Sequence, residues 1–288
     1  MKIDVKAFAK LNISLDVVSR MADGYHEMLM VMQSVDLCDD VSVTVEAGDG
    51  IAVSTSLRYL PADMRNIAAK AAGAFLARAG IRGRHVSIAI KKRIPVCAGL
   101  GGGSADGAAV LRALNALLDT RLTVRELEEI GAEVGSDVPF CVRCGTALAT
   151  GRGNVLEDLP PLPDCAFVIV KPQFAVSTPE LFSRLDCAKI RNRPDTAGLV
   201  DALRAGNLAG IAHRMYNVFE DALPRGREEI DAIRGELLDN HALGAIMTGT
   251  GSAVFGLFDS YESAHGAWKT LSGRRECFAA RAVGKYEV

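Results

Sequence analysis

The chain is predicted to fold as α+β, and three observations carry that assignment. Ile13, Leu15 and Val17, and again Val41, Val43 and Val45, alternate with other residues at the period of two expected of half-buried strands. Residues 104–118 then switch to helical spacing. Strands and helices recur in both halves with hairpin-like strands early, unlike the regular alternation that builds a parallel sheet.

At 288 residues the chain is too long for one minimal domain and comfortable for two. Pro160, Pro161 and Pro163 are the best candidate for a linker, which divides the chain into 1–160 and 161–288. In order, Ile3, Val5 and then Ile13 to Val17 read as strand, as do Val41 to Val45. The Ala-rich stretch from Asn66 to Ala79 reads as a helix ended by Gly80, and Val86, Ile88 and Ile90 as a strand stopped by Pro95. Val110, Leu111, Leu114, Leu117 and Leu118 form one apolar stripe, with Arg112, Asn115 and Asp119 off it. A second helix starts near Thr123, with Glu126 three residues on as a capping box. Residues Val138 to Ala149 read as extended; Ala166 to Val170 reads as a buried strand, several helices follow, and a late strand runs from Ala253 to Phe258.

Hydrophobic residues make up 49% and charged residues 24%, the balance of a globular protein with a real core, and the net charge of -2 offers no polyanion-binding surface. Nucleic acid is therefore excluded as the expected partner. Lys2, Asp4, Lys6 and Lys10 interrupt the N-terminus, so a secretory signal is not expected, and Arg112 breaks the best apolar run. The expected setting is cytoplasmic, with no membrane partner. Seven cysteines, at 38, 97, 141, 144, 165, 187 and 277, are an odd number and do not suggest a disulfide framework. Cys141 and Cys144 form a CxxC, but no second pair or close histidines complete a zinc site, and the flanks look too extended for a redox pair opening a helix. These cysteines are expected to pack inside.

The most informative segment runs from Pro95 to Asp106, Pro-Val-Cys-Ala-Gly-Leu-Gly-Gly-Gly-Ser-Ala-Asp, between a strand and a helix. Gly99, Gly101, Gly102 and Gly103 let backbone approach a ligand closely, and free N–H groups at a helix start make a positively polarised site for phosphate. Ser104 can cap the helix or bond a phosphate oxygen or a metal ion, and Lys92 upstream can add a point charge. The segment lacks the Gly-Lys-Ser/Thr of a Walker loop, and Ser104 stands where a dinucleotide fingerprint needs its last glycine. A flexible turn is the simpler alternative, but four glycines would be a costly way to make one.

Phosphoryl transfer needs phosphate anchors, a group that orients the acceptor, and positive charge on the group in flight. Lys10, in Ala-Lys-Leu-Asn, is by itself as well explained as a solvated lysine, and Asp137, in Gly-Ser-Asp-Val-Pro, as a turn aspartate. Tyr25 and His26 follow Asp23-Gly24 and can simply decorate a hairpin turn. Thr248 to Ser252 is a second small-residue loop, equally readable as a tight connection between helix and strand.

Taken together these segments resemble the GHMP kinases, the family of galactokinase, homoserine kinase and mevalonate kinase. The resemblance rests on Ala9 to Asn12, Asp23 to His26, Gly99 to Ser104, Gly135 to Phe140, Ala149 to Gly153 and Met247 to Phe255, in the family's order along nearly the whole chain. It implies a two-domain fold, with an N-terminal domain like the second domain of ribosomal protein S5 and a ferredoxin-like C-terminal domain. It implies ATP as co-substrate with Mg²⁺ beside it, although no acidic cluster identifies ligands for the ion, and small-molecule partners for a monomer or homodimer. Asp-Gly-Tyr-His and Ser-Asp-Val-Pro point to the branch that phosphorylates the 2-hydroxyl of a cytidine-diphosphate methylerythritol in isoprenoid precursor synthesis. By the same matching Asp137 is the base and Lys10 its partner beside the acceptor hydroxyl. Tyr25 and His26 contact the cytosine, Asn12, Thr178 and Phe182 complete the acceptor pocket, and Asn66, Lys92, Pro95 and Gly99 to Ser104, including Leu100, lie on the nucleotide side.

The chain departs from the family's pattern at Ala105, commonly a second serine, at Gly107, commonly alanine, and at Asn154, usually glutamate. A kinase of homoserine or mevalonate type is the alternative enzyme, and Tyr25-His26 separates it from the first reading. A member that only binds ligand would lack Asp137 and Lys10.

Overall fold

The computed structural model describes residues 1–286. Two long strands, β1 (Lys2–Arg20) and β2 (His26–Ala47), pair antiparallel along their length and form the spine of the first sheet. Their alternation fixes which residues face the cleft. Leu11 and Ile13 are fully buried in the core, so Lys10 and Asn12 share the opposite face. The pairing shifts register at Phe8/Ala9 and at Asn12/Ser14, and these irregularities bracket the Lys10–Asn12 segment.

A short strand β3 (Gly50–Thr55), helix α1 (Ile67–Arg78) and strand β4 (Arg84–Lys91) follow, with β3 and β4 parallel, as the helical connection requires. Asn66 caps α1, its side chain accepting from Ala68 N–H at 3.0 Å. Helix α2 (Gly102–Leu117) runs against β1 and β2 and is enclosed by α1, α3 (Val124–Val134) and α4 (Val138–Arg143). The capping box of Thr123 and Glu126 is formed at the start of α3. Strands β5 (Thr146–Thr150) and β6 (Val155–Asp158) complete this half, β5 pairing with β2 between Met30 and Gln33.

The second sheet has the order β11-β7-β10-β9, from β7 (Ala166–Lys171), β9 (Gly244–Met247), β10 (Val254–Phe258) and β11 (Glu276–Arg281), all antiparallel. Helices α8 (Arg227–Asp239) and α9 (Tyr261–Ser272) pack on it, giving the ferredoxin-like β-α-β-β-α-β unit. Between β7 and α8 lie α5 (Thr178–Arg184), α6 (Thr196–Arg204), α7 (Leu208–His213) and the short strand β8 (Tyr216–Asn217). The chain re-enters the first sheet twice. Strand β8 pairs with Ser14 and Leu15 of β1, and the tail bridges Ala282 to Val35 and Lys285 to Cys144.

Three local readings change. Residues Val138 to Arg143 are helical rather than extended, because Pro139 sits in a first turn where its missing N–H costs nothing. Cys141 lies on that helix with Cys144 closing it; both are buried, and burial pushes the Cys141 thiol well above its ordinary value, which leaves it protonated. Helix α2 is enclosed on nearly every side rather than on a stripe, and Arg112 and Asn115 are buried. Asn115 holds the loop after α2 through Leu122 N–H and C=O, both at 2.9 Å. The Thr248–Ser252 loop joins two strands, β9 and β10, not a helix to a strand.

Arg112 binds the carbonyls of Cys141 at 2.6 Å and Lys6 at 3.0 Å, tying α2 to α4 and β1. Arg112→Met, which keeps the stem and removes the donors, is expected to lower unfolding free energy in urea by about 3 kcal/mol by stranding buried carbonyls. A loss below about 1 kcal/mol would show that the carbonyls find other donors.

Candidate active site

One cleft of about 1170 Å³ lies between the two halves, and the residues expected at the catalytic, nucleotide and acceptor positions all line it. Lys10, Asn12, Tyr25, His26, Asn66, Lys92, Pro95, Leu100, Ser104, Asp137, Thr178 and Phe182 come from six separate stretches of chain, and the glycines Gly99 and Gly101–Gly103 form its floor. The fold positions them by three devices: the strand face of β1, the start of α2, and the turn between β9 and β10.

The floor is the loop before α2. Gly101, at φ 69°, caps that helix without a side chain, and Ala105 N–H closes the first helical bond onto Gly101 C=O at 2.8 Å. The N–H groups of Gly102, Gly103 and Ser104 therefore open the helix with the partial positive charge of its N-terminus. Space as well as conformation demands glycine. A Cβ on Gly99 would stand 2.1 Å from Thr248 C=O, and one on Gly101 would stand 2.9 Å from Lys10 Cγ. Gly107 departs from the family's usual alanine for a similar reason, since Ile67 Cγ2 lies 2.9 Å from where a Cβ would be. Ala105 is buried, and nothing in the structure explains Asn154.

Lys10 crosses from the strand to the loop. Its side chain is 5% exposed, its ammonium donates to Asn12 Oδ1 at 2.6 Å, and Asp137 Oδ2 lies 3.8 Å away. Asp137 stands at the start of α4 without capping it, so its carboxylate is left facing the cleft at 34% exposure. Asn12 is fully buried; its N–H donates to Thr248 Oγ1 at 3.0 Å, which fastens the strand to the β9–β10 turn. Thr248 was legible only as part of a motif, and its hydroxyl is what joins the two halves here.

Lys92 differs from expectation. Its ammonium is held 2.5 Å from Asp39 Oδ2 and 2.6 Å from Asp106 Oδ2, and its side chain is 4% exposed. It is a buried, paired charge beneath the loop rather than a free phosphate anchor, although Gly102 would place a Cβ only 3.4 Å from it. Burial lowers the lysine's tendency to hold its proton, but the two carboxylates together raise its pKa. Asp39 also accepts from Ile94 N–H at 2.8 Å. Burial pushes Asp106 up to about 7, with Asp39 adding to the rise and Lys92 opposing it. Asn66 is occupied by its capping duty and by donation to Pro61 C=O at 2.9 Å, so it lines the cleft with its side chain already engaged.

The far end is aromatic. The turn between β1 and β2 carries Tyr25, with His26 opening β2. The His26 ring lies 4.9 Å from Phe182, and Phe182 lies 4.9 Å from Phe219. Burial, with a smaller contribution from Arg20, holds the His26 imidazole below its ordinary value, so it is neutral at physiological pH. Thr178, at the start of α5, meets Thr250 of the β9–β10 turn at 2.9 Å between hydroxyls. Among the described residues no group of three or more His, Cys, Asp or Glu side chains could hold a metal ion, and no helix is long and apolar enough to cross a membrane.

Comparison with known proteins identifies the family. Residues 66–145 match the family model described as GHMP kinases N terminal domain, and residues 199–274 match that described as GHMP kinases C terminal. The chain is 41% identical over 289 residues to the 4-diphosphocytidyl-2-C-methyl-D-erythritol kinase of Bacillus cereus (strain B4264), covering 100% of this chain and 99% of that protein. It is 40% identical to the protein of the same name from Alkaliphilus metalliredigens (strain QYMF), covering 94% and 93% of the two chains. A crystal structure of 4-(cytidine 5'-diphospho)-2C-methyl-D-erythritol kinase superimposes with a TM-score of 0.80 at 32% identity, over 98% of this chain and 100% of that one. With a glycine cradle for phosphate, a lysine and a carboxylate beside it, and full-length relatives of that kind, this chain belongs to the GHMP kinases, an ATP-dependent family of small-molecule kinases.

Proposed function

We propose that this chain transfers the γ-phosphoryl group of ATP to the 2-hydroxyl of 4-diphosphocytidyl-2-C-methyl-D-erythritol. The observation that carries the proposal is the place of Lys10. Its stem packs on Gly101 of the phosphate loop and its ammonium faces Asp137, in the same cleft as Tyr25 and His26. The reading places a planar base at the aromatic end of this cleft and an alcohol near Asp137. Relatives carrying this activity in their names align over the full length.

In this reading the amides of Gly102, Gly103 and Ser104 grip the phosphates, and Asp137 accepts a hydrogen bond from the acceptor hydroxyl and orients it. The acceptor oxygen forms a bond to the γ-phosphorus while the bond to the β,γ-bridging oxygen breaks. The hydroxyl proton passes to Asp137 and then to solvent, and ADP leaves. A carboxylate is a weak base toward an alcohol, so orientation is its main contribution and the proton moves late. Lys10 offsets negative charge on the group in flight. The donor set suits Mg²⁺ only as an ion carried on the nucleotide, with the Ser104 hydroxyl as an oxygen ligand from the chain; bound there, the ion would neutralise phosphate charge.

A coupled ADP-release assay across the cytidylated methylerythritol, homoserine, mevalonate and galactose tests the acceptor. Turnover is expected with the first alone, and preference for any other would overturn the assignment. Asp137→Asn should cut kcat by about 10²- to 10⁴-fold while nucleotide still binds, and near-normal turnover would remove Asp137 from the mechanism. Gly102→Val would crowd Ile94 Cγ2, 3.0 Å from the position of its Cβ, and fill the cradle. ATP affinity should then fall about tenfold or more, equivalent to ~1.4 kcal/mol, and an unchanged Kd would place the phosphates elsewhere.

A further inference from the structure

We propose that Arg152 is a positioning residue of the acceptor end, a planar back wall that fixes the Tyr25 ring so that its other face receives the base of the acceptor. The inference rests on the cytidylated-acceptor reading. Arg152 lies in the turn between β5 and β6, in the Thr-Gly-Arg-Gly segment to which no role has been attached. That turn is anchored on β2, with Met28 N–H donating to Gly151 C=O at 2.7 Å. From this anchored base the guanidinium carbon reaches 3.8 Å from the centroid of the Tyr25 ring, and Nη2 donates to the Asp23 carboxylate. Asp23 in turn accepts the Tyr25 N–H at 3.0 Å. Asp23, Arg152 and Tyr25 thus close a ring of three contacts around the hairpin tip.

The tip has little else to hold it. Met21 N–H donates to Tyr25 C=O and Gly24 N–H to Met21 C=O, while Tyr25 itself is 53% exposed. A ring so exposed would sample several rotamers, and each would have to be surrendered when a base stacks on it. The guanidinium restricts the ring beforehand. A planar cation does this better than a lysine ammonium, because it covers the ring face and bonds the carboxylate in one geometry. Both residues line the cleft beside His26, so the restricted ring is part of the wall that a planar heterocycle would meet.

Steady-state kinetics of the full chain with the cytidylated methylerythritol and ATP, on Arg152→Ala, Arg152→Lys, Tyr25→Ala and the Arg152→Ala/Tyr25→Ala pair, test this. Arg152→Ala should raise the acceptor KM about three- to tenfold, the size of an exposed cation–π contact with its ion pair. The kcat and the KM for ATP should stay within about twofold, and Arg152→Lys should recover only part of the loss. In the Tyr25→Ala background the arginine change should add nothing; additive effects would show that Arg152 acts apart from Tyr25 and would overturn the proposal. Amide hydrogen exchange over residues 21–28, measured without any substrate, should quicken in Arg152→Ala, and unchanged exchange would also overturn it. If the unaltered protein does not phosphorylate this acceptor, the acceptor reading fails, whereas the exchange result still decides whether Arg152 holds the tip.

Discussion

The site depends on one constraint: an ammonium group taken almost wholly out of water and held between two backbone loops. Lys10 has little solvent to satisfy it, so Asn12 and Asp137 must supply acceptors. The loops leave no room for any side chain of their own, with Gly101 against the lysine stem and Gly249 placing a Cβ 3.1 Å from Nζ. These two glycines belong to different halves of the molecule. The lysine is therefore flanked on both sides when the β9–β10 turn is docked on β1. Asn217 secures that docking by donating to Met247 and Gly249 carbonyls, both at 2.8 Å, while Thr248 receives the Asn12 N–H. The strand register, the short parallel pairing of β8 and the glycine spacing all serve this single approach.

Beneath the loop lies a second buried charge problem with a different solution. Two carboxylates share the Lys92 ammonium, which leaves the cluster one negative charge in excess when all three ionise. An excess negative charge below an anion site opposes binding, and burial relieves it by raising Asp106 to about 7, where a proton is partly retained at neutral pH. On the proposed reading, the attraction for phosphate then comes from the amides at the start of α2 and from Lys10 rather than from the paired Lys92. The cluster's contribution is to hold the strand end at Arg93 and Ile94 against α2, and so to set the height of the loop.

What the sequence revealed were features whose physical cause is local. The capping box at Thr123, the Ala-rich helix after Asn66, the strand alternation in β1 and β2 and the glycine run are each set by neighbours a few residues apart. What it hid were consequences of long-range pairing. Lys92 reads as a free point charge because Asp39 is 53 residues away. Arg112 and Asn115 read as a solvent face because nothing in the helix itself shows that α1, α3 and α4 will enclose it. The Val-Pro-Phe run at the start of α4 misled for another reason, since proline marks both strand ends and first helical turns, and only the packing of α4 on α2 decides between them. Thr248 and Arg152 stood in recognisable motifs, yet their partners, Asn12 and Tyr25, lie more than a hundred residues away and could not be inferred from spacing.

The two ends of the cleft differ in a way that orders the substrates. At the loop, backbone donors and a helix start favour charge. At the other end His26, Phe182 and Phe219 form a chain of rings with no formal charge among them, because His26 is kept neutral by burial and by the positive charge of Arg20. A neutral imidazole can donate from one nitrogen and accept at the other, whereas its protonated form could only donate. A heterocyclic base that presents both a donor and an acceptor edge is thus better served by the neutral ring, and stacking on uncharged aromatics does not require desolvating a cation. Phosphate placed at that end would meet neither backbone amides nor Lys10. On the proposed reading, the polarity of the cleft favours the nucleotide phosphates at α2 and the base of the acceptor between the hairpin tip and α5.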